Sequence, residues 1–103
     1  MNGTPVISIK RKTDPNGRTK WHVIVRGEIY EPARLATSTD TLGQALTIGE
    51  MHLRWWGYTE IEVTKAVANA FRNVRRRYGP EVFEEAVTET QKIAAEQAEP
   101  YPD

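Results

Sequence analysis

Val6-Ile-Ser-Ile-Lys-Arg-Lys12, Asp14-Pro-Asn-Gly17 and Lys20-Trp-His-Val-Ile-Val-Arg26 follow one another near the start of the chain, and their reading decides the fold. The two outer runs are rich in β-branched residues, and the second alternates apolar with polar positions more regularly than the first. The middle run is a turn, because Pro15 presets φ and Asn16 and Gly17 tolerate positive φ. Together they predict a β-hairpin. Trp21, Val23 and Val25 share one face of it, where Ile7 and Ile9 can meet them. The other face carries Lys10, Lys12, Lys20, His22 and Arg26. A third strand is expected near residues 29–37, with Pro32 at an edge or a bulge. In register, it would add Tyr30 and Arg34 to the basic face.

Helical signals follow. Thr41 and Gln44 match a capping box, with Asp40 adding negative charge at the positive end of the helix dipole. Leu42, Ala45, Leu46, Gly49, Leu53 and Trp56 fall on one stripe, and Ile48, Met51 and Trp55 widen it beyond what one small sheet covers. Gly57 suits the left-handed C-terminal cap. Thr59 and Glu62 make a second capping box, followed by a stripe of Val63, Val67, Ala70, Phe71, Val74 and Tyr78. Gly79-Pro80 ends this helix and starts a third. The third has Glu81, Glu84 and Glu85 near its start and a weaker stripe of Phe83, Ala86, Val87, Thr90 and Ala94. The expected fold class is α+β: a small three-stranded antiparallel sheet packed by an amphipathic helix, followed by a two-helix hairpin. One domain spans 1–98, with sheet and first helix in 6–57, the helical hairpin in 59–98, and a flexible tail in 99–103.

At 103 residues the chain supports a single modest core. It contains no cysteine, which excludes disulfides and thiolate zinc sites. No apolar run approaches the roughly 20 residues of a membrane helix, and Met-Asn-Gly-Thr-Pro lacks the regions of a signal peptide. A soluble cytoplasmic protein is therefore expected. The formal net charge of +0 conceals an asymmetry. Residues 1–78 hold thirteen Lys/Arg against seven Asp/Glu, a balance of +6, whereas residues 79–103 hold one against seven, a balance of −6. The acidic part can fold back on the basic body or pair with another copy.

Little in the chain suggests catalysis. His22 and His52 lie on different elements with no spaced carboxylates to complete a metal site. No phosphate loop, nucleophile elbow or dinucleotide fingerprint occurs. Neither an enzyme nor a cofactor is expected. Three surfaces could bind a macromolecule. The basic hairpin face, with Lys10, Lys12, Lys20 and Arg26, can meet phosphates or simply guard the sheet edges. Arg72 and Arg75-Arg-Arg77 can complement the helix dipole and pair with Glu84 and Glu85, or contact phosphate through Arg72 and Arg76. Trp55-Trp56 point about 100° apart, so both cannot face one core. Trp56 fits the core, while Trp55, with Met51 and Tyr58, fits a protein interface.

Ser38-Thr-Asp-Thr-Leu42, running into Gln44-Ala-Leu46 and ending at Trp55-Trp-Gly57, resembles the HicB-like antitoxin module. That resemblance implies a β-β-β-α core and a regulator that blocks a protein partner by direct contact. Ile9-Lys-Arg-Lys12, Gly17-Arg18 and Trp21-His-Val-Ile-Val25 also resemble the arm-type DNA-binding domain of tyrosine integrases, which implies a sheet face laid on DNA. The leading expectation is a non-enzymatic regulatory binding protein of a phage or other mobile element, acting by protein contact, with a possible homo-oligomer. The alternative is a DNA- or RNA-binding accessory protein using the hairpin face.

Overall fold

Asp14 locks the hairpin turn. Its carboxylate accepts the N–H groups of Asn16 and Arg18, both at 2.9 Å, and its own N–H donates to the Arg18 carbonyl at 2.9 Å. The computed structural model describes residues 3–29 and 31–98. Tyr30 and the expected tail, 99–103, lie outside the described residues. The order of elements is β1 (Gly3–Thr13), β2 (Thr19–Glu28), β3 (Pro32–Thr39), α1 (Leu42–Trp55), α2 (Glu60–Tyr78) and α3 (Pro80–Ala98). The fold is α+β, an open three-stranded antiparallel sheet in the order β1-β2-β3 followed by three helices.

The register places the faces as the alternation requires. Ile7 lies opposite Val25 and Ile9 opposite Val23, while Lys10 faces His22 and Lys12 faces Lys20. On the other side of β2, Val25 pairs with Leu35 and Arg26 with Arg34. The third strand starts and ends later than residues 29–37, because Pro32 takes its first position on an edge strand. There its missing N–H disturbs the ladder least.

All three helices lie on one side of the sheet. α1 rests on β2 and α2 on β1, while α3 packs on both helices and on no strand. Val23, Val25, Leu46, Leu53 and Val63 are sealed in the centre, and each contributes about 1.5–3 kcal/mol of apolar burial. Thr41 caps α1 by accepting the Gln44 N–H, but among the described residues Gln44 does not reciprocate, so the expected box is half formed, and the Thr41 hydroxyl donates to Glu89 instead. Thr59 and Glu62 form the reciprocal box at the start of α2. Gly57 and Gly79 end the two helices with positive φ. On α2, Ala66 joins Val63, Ala70 and Val74 among the buried positions, so small residues bring this helix close to β1. Among the described residues of α3, Ala86 alone is buried. Phe83 meets Phe71 edge-on at 5.7 Å, and Ala94 is exposed, against expectation, while Ile93 beside it is partly buried and borders Gln44, Thr47 and Ile48 of α1.

Candidate functional site

The apolar excess of α1 has two different fates. Leu42, Ala45, Leu46, Gly49 and Leu53 are buried, and Trp56 packs half-buried against the core. Met51 is 41% exposed and Trp55, one turn on, is 75% exposed. An indole that open, beside a methionine, is an exposed apolar anchor at the end of a well-seated helix. His52 stands beside it, with ring centroids 5.3 Å from Trp55 and 6.3 Å from Trp56. Its Nδ1 donates to the Ile48 carbonyl at 3.0 Å, which orients the imidazole.

The corner carrying Trp55 is braced by charge. Arg54 Nε donates to Glu60 Oε1 at 2.7 Å and Nη2 to Oε2 at 3.0 Å, a bidentate bridge from α1 to α2. The same guanidinium reaches Glu50 at 2.7 Å. The hydrogen bond to Glu60 raises the Arg54 pKa, and the same bond holds the Glu60 carboxyl below its ordinary value. Exposed pairs contribute little to stability, but this geometry fixes how α2 leaves α1. Ile61, 69% exposed, opens the first turn of α2 just beyond it.

Tyr58 does not belong to this surface. It is 6% exposed, and its hydroxyl accepts the Glu28 N–H at the end of β2. Its ring lies over Gly27, where an added Cβ would come within 2.6 Å of it. The expectation of an interface tyrosine is corrected: the loop after Gly57 turns it under the sheet, and the close approach requires glycine at position 27.

The second surface is the outer face of the sheet. Lys10, Lys12, His22 and Arg26 are exposed there, and Arg34 joins them from β3. A shallow depression of about 570 Å³ lies between Lys10, Lys12, His22 and Arg34. Lys20 differs from its neighbours, since its ammonium is paired with Asp40. That hydrogen bond, with the attraction behind it, lowers the Asp40 pKa. The acidic α3 packs on α1 and α2 on the other side of the sheet, so it leaves this face open.

On α2 the arginines do not pair as expected. Among the described residues no carboxylate lies within ion-pair distance of Arg72, Arg75, Arg76 or Arg77. Arg75 instead stands 5.6 Å from the Phe83 ring, and Arg76 donates to Asn73 at 2.8 Å. Arg76 and Arg77 border a groove beside β1, whereas Arg72 is exposed one turn earlier and lines neither depression. The β1 groove was not anticipated, since only the sheet order reveals which strand edge is open. Among the described residues no cluster of three His, Asp or Glu side chains could hold a metal ion, and no helix is long and apolar enough to cross a membrane.

Comparison with family models, with curated proteins and with solved structures finds no significant match for this chain.

Proposed function

We propose that this protein is a small non-enzymatic regulator that works by protein–protein contact, in the manner of an inhibitor or antitoxin-like factor. Its anchor is the corner between α1 and α2. The observation that carries this reading is the 75% exposure of Trp55, with Met51 one turn before it, on a helix whose other face is sealed in the core. Tryptophan anchors of this kind dominate interface energetics when a partner desolvates them. The Arg54–Glu60 bridge supports the reading because it fixes the corner before any partner arrives. Photo-crosslinking tests it directly. A benzophenone side chain at position 55 should capture a defined protein that the same group at position 24, on the outer sheet face, does not. Equal capture from both positions would count against the corner.

A second reading has its own support. Arg26 stands directly opposite Arg34, and neither has a carboxylate within ion-pair distance among the described residues. Like charges in facing positions destabilise a sheet, and edge protection explains the lysines of β1 but not Arg26 on the central strand. An anionic partner such as nucleic acid would offset that repulsion. Fluorescence anisotropy with random-sequence duplex DNA and single-stranded RNA at two salt concentrations tests it. Binding should fall steeply with salt and weaken when Lys10, Lys12 and Arg26 become Ala. Unchanged binding in that variant would remove the sheet face from consideration.

A further inference from the structure

The free edge of β1 and the face of α2 beside it form a groove of about 440 Å³. Its apolar wall includes Ile7, Ile9 and Val74, and its rim carries Lys10, Arg76 and Arg77, with no acidic residue in the lining. The backbone of this edge has a definite orientation. The Arg11 N–H donates to the Tyr78 hydroxyl at 2.9 Å, on the side of β1 away from β2, whereas the Asp14 N–H donates to Arg18 across the hairpin. A residue's N–H and C=O point to the same side of a strand, and the side alternates along the chain. The pairing is regular from Val6 to Thr13. Ile7 and Ile9 therefore share the orientation of Arg11 and turn their N–H and C=O groups away from β2, into the groove. Tyr78 closes the edge at Arg11 and leaves the part around Ile7 and Ile9 open.

We propose that this groove receives an extended, acidic peptide segment of a partner protein, which adds to the sheet as a strand beside β1. The main-chain groups of Ile7 and Ile9 would hold its backbone, as in other strand-addition complexes. Its carboxylates would meet Lys10, Arg76 and Arg77, none of which has a carboxylate partner among the described residues. A second copy of this chain fits poorly, because pairing β1 with β1 brings the same cations of both copies together. This inference stands apart from the role of Trp55, which lies on α1.

The test uses the full-length ¹⁵N-labelled protein and an acetylated synthetic heptapeptide of alternating Glu and Val, with a mate in which every Glu is Lys. In the free protein, the amides of Ile7 and Ile9 should exchange with solvent faster than those of Ser8 and Lys10, which β2 protects. The acidic peptide should shift and protect the amides of Ile7 and Ile9, and bind at least about tenfold more tightly than its basic mate. The double variants Arg76→Gln/Arg77→Gln and Arg76→Glu/Arg77→Glu should weaken it progressively while the circular dichroism stays unchanged. Unmoved Ile7 and Ile9 amides, equal binding of the two peptides, or undiminished affinity in both folded variants would overturn the proposal. So would a dimer whose interface maps to β1.

Discussion

Three residues apart in sequence, Trp55 and Tyr58 illustrate how far single positions can be read. Both are large aromatics near a helix end, and the sequence supports an interface role for either. The helical angle between Trp55 and Trp56 distinguishes those two, and the structure has Trp55 exposed and Trp56 half-buried. Tyr58 follows the helix, where no periodicity applies, so its burial depends on Gly27 across the fold. Replacing Trp55 by Ala should change stability by no more than about 0.5 kcal/mol in urea unfolding, because little of the ring is covered. Gly27→Ala should cost about 1–3 kcal/mol, since the Tyr58 ring must move and its bond to the Glu28 N–H is disturbed. Leu53→Ala, which removes a fully buried side chain, should cost about 2–5 kcal/mol. If Gly27→Ala were neutral and Trp55→Ala severe, the assignment of the two aromatics would be reversed.

At the scale of elements, the hairpin, both helix caps and the start of α3 at Pro80 were legible, because each rests on local chemistry. The limits of β3 and the face of α3 were not. They depend on where an edge proline enters the ladder and on which side of a weakly patterned helix meets its neighbours, which Ile93 and Ala94 show. The capping box on α2 carries a pH dependence. The Thr59 backbone N–H, and then its hydroxyl, hold the Glu62 carboxyl below its ordinary value of 4.5. The unfolded chain therefore binds the proton first as pH falls, and the stability this group contributes is present above its unfolded pKa and lost in acid. Glu60 and Asp40 shift in the same direction and add to the effect. Thermal melts from about pH 6 to pH 3 should show a smaller acid-induced drop in Tm for Glu62→Gln than for the unsubstituted protein. An identical pH profile would mean that the carboxylate does not cap the helix in solution.

Across the whole molecule, the outer sheet face is basic and open, and the acidic α3 packs with α1 and α2 on the other side of the sheet, where Glu85 and Glu89 border the end of β1 and the start of β2. The sequence revealed the charge asymmetry but not its placement, because only tertiary contacts decide whether an acidic helix covers a basic sheet. Three surfaces result, the α1–α2 corner, the sheet face and the β1 groove, the last two sharing Lys10. Substitutions at the corner should leave the other two intact, whereas Arg26 and Lys12 report on the sheet face alone and Arg76 and Arg77 on the groove alone.

The corner is the central claim, and one comparison tests it most directly. Tagged protein carrying Trp55→Ala, the Lys10, Lys12 and Arg26 triple alanine variant, and the unsubstituted chain are each used for quantitative affinity purification, with a differently tagged second copy present. The expected result is that at least one protein, or the second copy itself, falls by about tenfold with Trp55→Ala and is retained by the triple variant. If Trp55→Ala keeps every companion that the unsubstituted chain has, the exposed indole is not the anchor, and the proposed function fails.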